Sequence, residues 1–241
     1  MTSEIRTSRI SIIIPAYNED KTLFRNMEKL MKFLEKSFKK YEIIICDNGS
    51  KDNTSEVGNL LAKKHKLIKF FRIPKKGFGL AEKEMIRRAK YEKIVLMSAD
   101  ISFNLSFIKE AERLLEDFDV VVGSKRTEGS IDQRPIKRKI LSSVFNFLVN
   151  LFLGVAIKDT QGVKGYRKSK IKIINEKIKS KNFFYDVEML WYARKNKLKI
   201  IEIPVKVRDY KKSKVKLLSD SAKLFFEILG FWLKMEFSYK E

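Results

Sequence analysis

The chain predicts an α/β fold built on one open sheet. Three observations point there. Short runs rich in Ile and Val recur along the first half, and each ends in polar or turn residues. Segments with apolar residues three and four apart separate these runs, which is the helical period. The 241 residues are 44% hydrophobic, enough for one sizeable core.

Residues 9–17, RISIIIPAY, form a β-branched run broken by Pro15: a buried strand entering a loop. Over 19–38, Leu23, Met27, Leu30, Met31 and Leu34 mark one face of a helix. YEIIICDNGS (41–50) is a second buried strand ending in a turn, and Asp52 caps a helix running to about Lys64. LIKFFRI (67–73) is a third strand. GFGLAEKEMIRRA (77–89) opens with glycines and continues as a helix. KIVLMSA (93–99) is a fourth strand, a helix covers about 104–117, and DVVVGS (119–124) is a fifth strand. Alternation of this kind places ligands outside the carboxyl ends of the strands. Tyr17, Asn18, Glu19, Asp47, Asn48, Ser50, Lys75, Lys76, Ser98 and Asp100 should therefore converge on one crevice.

The second half reads differently. RKILSSVFNFLVNLFLGVAI (138–157) is nearly all apolar behind Lys137, Arg138 and Lys139, with Ser142, Asn146 and Asn150 forming a narrow polar stripe. It is short and polar for a membrane span. A helix lying in a membrane interface and an ordinary buried helix both fit it. Residues 183–210 read as helix, turn, strand and basic loop. Residues 213–237 read as a second amphipathic helix, carrying Phe225, Phe226, Phe231, Trp232 and Phe237 beside several lysines.

Net charge is +22, from 52 Lys and Arg against 30 Asp and Glu. That favours polyanionic company: nucleic acid, anionic lipid headgroups or phosphorylated substrates. Nucleic-acid binding would want basic clusters interleaved with exposed aromatics. The aromatics here sit mostly in apolar runs, so no nucleic-acid partner is expected. A single cysteine, Cys46, excludes an intrachain disulfide framework and fits a reducing compartment. The start, MTSEIRTSR, has no apolar run of signal-peptide type, so no secretion is expected. His65 reads as a solvated histidine and Cys46 as a buried, inert thiol.

Seven segments in order, SIIIPAYNE, CDNGSKDNT, KKGFGLAEKEM, MSAD, VVGSKRTEGS, DTQGVKGYRKS and YDVEMLWYARKNKLKIIEIPVKVRDYKKSKV, resemble glycosyltransferase family 2. Within it they are similar to the dolichyl-phosphate mannose synthases and glucosyltransferases. The resemblance implies a GT-A fold, a single domain over 1–241. It has a nucleotide-sugar-binding half at about 8–126, an acceptor-side half at about 127–210 and a C-terminal amphipathic helix at about 211–241. It implies inverting transfer of a hexose from a nucleotide-diphosphate sugar to a polyprenyl or dolichyl phosphate. DTQ and IPVKVRDYKKSKV favour UDP-glucose, with GDP-mannose next. Peripheral attachment to an anionic membrane surface, on the cytoplasmic face where nucleotide-sugars are made, is expected.

The same resemblance implies roles. Pro15, Ala16, Tyr17 and Glu19 would meet the nucleotide, and Asp47 would accept hydrogen bonds from the base. DNGS is also good turn chemistry, so Asp47 reads equally as a turn residue. Gly77 and Gly79 would let the backbone approach the donor. The family usually has Asp-x-Asp where this chain has Ser98, Ala99 and Asp100. Asp100 is then the expected ligand for Mg²⁺ or Mn²⁺, with Ser98 in place of the first acid. Missing negative charge shifts weight onto cations: Lys125 beside Arg126, and Arg208 and Lys214 toward the diphosphate and the lipid phosphate. Asp186 and Glu188 would orient the acceptor or its cations, or simply cap a helix. Asp159, Thr160 and Gln161 would make acceptor-side or sugar-side contacts. A phosphate monoester is already ionised and needs no general base, whereas a hydroxyl acceptor would. A hydroxyl-acting relative and a non-catalytic binder of nucleotide-sugars or polyanions are the alternatives.

Overall fold

The computed structural model describes residues 8–208 and 226–235. Seven strands form one sheet in the order β3-β2-β1-β4-β7-β5-β8. These are β1 (Arg9–Ala16), β2 (Lys40–Asn48), β3 (Ile68–Ile73), β4 (Lys93–Leu96), β5 (Val120–Ser124), β7 (Val163–Arg167) and β8 (Ile200–Pro204). All neighbours pair in parallel except β7, which runs antiparallel between β4 and β5. A small parallel pair, β6 (Ile131–Asp132) with β9 (Lys206–Val207), stands beside the sheet.

Both faces of the sheet are covered, which is why the strands read as unbroken apolar runs. Ile12 and Ile14 of β1 face a core shared with α1 (Leu23–Ser37) and α4 (Ser106–Leu114). Ile13 faces the opposite core, with α3 (Phe78–Arg88), α5 (Ile136–Leu153), α6 (Lys168–Lys177) and α7 (Tyr185–Lys195). The predicted stripe of α1 is fully inward: Leu23, Met27, Leu30 and Leu34 are buried. Asn53, not Asp52, stands at the N-cap of α2 (Thr54–Lys64), and Asp52, one residue earlier, accepts the Thr54 amide on its Oδ1 at 3.0 Å. Burial pushes the Cys46 thiol up to about 12, in keeping with an inert side chain. His65 is not simply solvated: its Nε2 lies 3.0 Å from Glu28 Oε1.

Two differences from the sequence reading matter. Residues 19–22 form a turn before α1, with the Glu19 carbonyl accepting the Thr22 and Leu23 amides. Strand β7 is hidden in VKGYR because its Lys164 breaks the apolar alternation, yet Lys164 is fully buried. It survives there through an ion pair with Asp186 at 2.8 Å. Among the described residues, no helix is long and apolar enough to cross a membrane.

Candidate active site

The strand order reverses around β1, between β2 on one side and β4 on the other. Open sheets bind ligands at such a point, outside the carboxyl ends. Four loops meet there. After β1, Tyr17 is half-buried, and the Lys76 ammonium stands 4.0 Å over its ring. Asn18 takes φ 53° and donates its amide to Ser50 Oγ at 2.9 Å, so the first loop is tied to the second. The Glu19 amide bonds Thr54 Oγ1 at 2.7 Å, and its carboxylate accepts the Thr22 hydroxyl at 2.9 Å. Asn48 Oδ1 accepts the Gly77 amide at 2.6 Å, which holds the third loop against the second.

Asp47 is fully buried beneath these loops. Its Oδ1 accepts the Ser50 amide at 2.8 Å, its Oδ2 accepts the Ser55 hydroxyl, and Arg72 Nε lies 3.8 Å away. The turn geometry is thus realised, and contact with a base would require Ser55 or Arg72 to yield. Gly77 and Gly79 are also tightly packed. A Cβ at Gly77 would meet the Lys181 carbonyl at 2.8 Å, and one at Gly79 would meet Tyr185 Cβ at 2.4 Å. A side chain at either position would push α3 off the segment leading into α7.

Asp100 follows buried Ala99, whose carbonyl accepts Asn26 Nδ2 at 2.9 Å. Asp100 Oδ1 accepts the Ser102 amide at 3.0 Å, and the Ser98 and Ser102 hydroxyls lie 3.2 Å apart. The Arg208 amide in turn donates to the Ser102 carbonyl at 2.9 Å, so the chain after β9 is fastened to the Asp100 turn. Asp100 and Arg208, far apart in sequence, thereby edge the same crevice. Lys214 lies outside the described residues. No group of three or more His, Cys, Asp or Glu is gathered to hold a metal among the described residues. A divalent ion at Asp100 would draw its other oxygens from a diphosphate and water, which suits a hard cation.

Lys125 also departs from expectation. Its side chain is 4% exposed and its Nζ is 2.6 Å from Asp159. Its amide bonds the same carboxylate at 2.8 Å. Burial alone would push the Asp159 carboxyl up, but Lys125 more than offsets it, so Asp159 sits below the usual carboxylate range. The ammonium is spent inside the protein. Its neighbour Arg126 is half-buried against α5, with Nη1 on Ser143 Oγ at 2.8 Å and Nη2 on Ser142 Oγ at 3.0 Å. Arg134, held bidentate by Asp132, comes within 3.4 Å of the same Ser142 Oγ. Arg126 Nε and Thr127 Oγ1 are buried without a hydrogen-bond partner. Two guanidinium groups side by side suit a phosphate, which would compete for the Ser142 and Ser143 hydroxyls that now donate to the Lys139 carbonyl. Arg126 next to Lys125 was visible in the sequence, but its meeting with Ser142 and Ser143 was not.

Asp186 and Glu188 are 3% and 5% exposed. Asp186 pairs with Lys164, while Glu188 accepts the Lys179 amide at 3.1 Å and the Ser180 hydroxyl. They hold structure beneath the crevice. Gln161 Nε2 donates to the Phe183 carbonyl at 3.2 Å, joining the DTQ loop to the start of α7.

A mostly parallel sheet with an acid beside its switch point and a basic, hydroxyl-rich cluster after β5 is the class of α/β protein whose geometry suits phosphorylated ligands. Comparison with known proteins narrows this. The model of glycosyl transferase family 2 matches residues 11–200. The chain belongs to that family, is a glycosyltransferase, and has the GT-A fold. It is 26% identical to Glycosyltransferase AglD of Haloferax volcanii over 94% of this chain and 37% of that one. It is 30% identical to the human dolichyl-phosphate beta-glucosyltransferase over 87% of this chain and 70% of that one. The chain thus spans little more than a third of its haloarchaeal relative. In fold it is similar to glucosyl-3-phosphoglycerate synthase from Mycobacterium tuberculosis in complex with Mn²⁺, UDP and glucosyl-3-phosphoglycerate. There the TM-score is 0.69 at 14% identity, covering 93% of this chain and 80% of that one.

Proposed function

We propose that the enzyme transfers glucose from UDP-glucose to a polyprenyl phosphate at an anionic membrane surface. One observation carries this: helix α5 has two working faces. Inward, Ser142 meets Arg126, Asn146 anchors Thr160, and Asn150 bonds both the amide and the carbonyl of Ile157. Outward, Ile136, Ile140, Val144, Phe147 and Leu151 are 66, 56, 50, 65 and 64% exposed. Their spacing makes one continuous apolar stripe, with Lys137, Arg138 and Lys139 at its head. Residues 226–235 add exposed Phe226 and Leu233, and Trp232 packs on Phe152 of α5. A phosphate cradle therefore lies one helix width from a surface suited to lipid. The glucosyl names of the eukaryotic relatives favour glucose over mannose.

Residues of about 8–126 then hold the donor and those of about 127–210 the acceptor. Tyr17 packs on the base once Lys76 swings off its ring toward the diphosphate. Arg126, Ser142 and Ser143 seat the lipid phosphate. One of its oxygens attacks the anomeric carbon from the face opposite UDP. The bond from that carbon to the diphosphate breaks, so configuration inverts and UDP leaves. Positioning and charge stabilisation supply the rate. Asp100 would hold the Mg²⁺ or Mn²⁺ that withdraws charge from the leaving diphosphate. Asp186 and Glu188, the base candidates for a hydroxyl acceptor, are buried and engaged, which favours an acceptor that ionises by itself.

The test is label transfer. Protein, Mn²⁺ and dolichyl phosphate are incubated with labelled UDP-glucose or GDP-mannose and extracted with organic solvent. Label from UDP-glucose in the organic phase is expected. Transfer only to water-soluble hydroxyl acceptors would overturn the reading.

A further inference from the structure

We propose that Glu82 and Asp186 share one buried proton, and that this contact is a positioning device seating the donor-side helix α3 on the acceptor-side helix α7. It holds whichever donor and acceptor the enzyme takes.

The buried charges clustered about Lys164 and Lys125 do not balance. Glu82, Lys164 and Asp159 are fully buried, Asp186 is 3% exposed, and the Lys125 side chain is 4% exposed. Lys125 pairs with Asp159 at 2.6 Å and Lys164 with Asp186 at 2.8 Å. Three acids thus stand against two cations, and Glu82 is the acid left without one. An ionised carboxylate in that position would carry an uncompensated desolvation cost; a protonated one would not.

Hydrogen bonding gives the same answer independently. Glu82 Oε1 accepts the Tyr166 hydroxyl at 3.0 Å, while Glu82 Oε2 is buried without a partner. Across from it, Asp186 Oδ1 is paired with the Lys164 ammonium at 2.8 Å, so Asp186 is the ionised member of the two. Lys164 directs a proton to the Gly162 carbonyl at 2.9 Å. Lys164 and Tyr166 stand two apart on β7 and so share one face of the sheet; the first holds Asp186 at 2.8 Å and the second Glu82 at 3.0 Å, which makes the two acids neighbours. One proton on Glu82, donated to Asp186, partners both side chains. The other titratable groups facing the pair are Tyr166 and Tyr185, both kept neutral by burial. Asp159 with Lys125 lies beyond, and Glu176 and Glu188 lie toward Tyr185. Burial first, and Asp186 second, hold the Glu82 carboxyl well above the usual carboxylate range.

The contact sits where it matters. The first turn of α3 includes Gly79, packed on Tyr185, and the Leu80 amide donates to the Lys181 carbonyl at 3.2 Å. The Gly77 amide is fastened to Asn48 in the donor crevice, while Gln161 is fastened to Phe183 just before α7. Glu82 and Asp186 close the same seam one turn deeper.

Glu82→Gln copies the protonated acid: its oxygen accepts from Tyr166 and its amide donates to Asp186. Infrared difference spectra in D₂O at neutral pH, parent minus Glu82→Gln, should show a protonated carboxylic acid. The parent's kcat/KM should survive in Glu82→Gln and fall in Glu82→Ala. The folded-state pKa lies above the unfolded value of about 4.3. The stability Glu82 contributes is therefore present below that value and lost as pH rises through the folded pKa. The Tm of Glu82→Gln, which cannot titrate here, should gain on the parent as pH rises from about 5. Absence of the acid band, a Tm difference constant with pH, or a Glu82→Gln variant as inactive as Glu82→Ala would each overturn the proposal. The infrared and Tm readings need no substrate, so failure here is distinct from failure of the proposed transfer reaction.

Discussion

A single oxygen of Asn146 holds both the backbone and the side chain of Thr160. Asn146 Oδ1 accepts the Thr160 amide at 2.8 Å and the Thr160 hydroxyl at 2.9 Å, and both residues are buried. The Asn146 amide nitrogen turns back to the Ser142 carbonyl at 2.7 Å. The inner face of α5 therefore sets the position of the DTQ loop, and with it the Asp159 carboxylate that binds Lys125.

Asn146→Leu keeps the side-chain bulk but strands two buried donors on Thr160. Leaving such groups unsatisfied costs roughly 1–3 kcal/mol each, so Tm should drop by several degrees. Differential scanning calorimetry checks it. An unchanged Tm would mean that the loop is held by other contacts.

The outer face of α5 predicts the opposite behaviour. Phe147→Glu with Leu151→Glu alters side chains that are about two-thirds exposed. Surface changes of this kind move stability by about 0.5 kcal/mol or less. Sedimentation with anionic liposomes should fall sharply while Tm and transfer to a detergent-dispersed acceptor hold. Undiminished sedimentation would remove α5 as the lipid-facing element.

These two faces show what the sequence discloses and what it hides. Strands β1 to β5 are legible because a doubly covered sheet needs unbroken apolar runs. The stripe of Ser142, Asn146 and Asn150 is equally legible as a pattern. Its direction is not, since a helix exposing its apolar side inverts the ordinary rule, and only tertiary contacts reveal that Asn146 points inward. Strand β7 escapes because a buried lysine looks like a surface residue until Asp186 is placed beside it. Lys125 illustrates the converse: its position in the motif is visible, but burial against Asp159 engages its ammonium inside the protein, and it is Arg126 that meets Ser142 and Ser143.

For Asp100, the expected outcome is a loss of transfer of roughly tenfold or more in Asp100→Asn, with more metal needed for half activity. Ser98→Asp adds an acid beside it and should lower the metal requirement. Titrating Mn²⁺ against rate in the three proteins tests both. A metal requirement identical in all three would place the ion elsewhere.

Arg126 should matter to the acceptor alone. Hydrogen bonds to charged groups contribute about 1.5–3 kcal/mol each, so Arg126→Ala should raise KM for the lipid phosphate by roughly tenfold or more. KM for the nucleotide-sugar should stay near the parent value. Equal effects on both substrates would show that Arg126 serves the fold and not the acceptor.

Asp159 offers a pH test of the buried pair beneath that cradle. The Lys125 ammonium, with the hydrogen bonds of the same residue, holds the Asp159 carboxyl below its ordinary range against the upward push of burial. A depressed folded-state pKa means that the stabilisation is complete above the unfolded value of about 3.9 and is lost as pH falls through the folded value. Asp159→Asn leaves Lys125 buried without its counter-charge, a change that typically costs about 3–5 kcal/mol. At neutral pH the variant should therefore be far less stable than the parent in urea. As pH falls below about 4 the unfolded chain takes up a proton at Asp159 before the folded parent does, so the gap between the two proteins narrows, and it closes once pH passes below the folded value. Carboxylates common to both cancel in the difference, which isolates the pair. A stability gap that stays constant from pH 7 to pH 3 would show that the Asp159 side chain acts through its hydrogen bonds alone and that its charge is not what holds Lys125 inside.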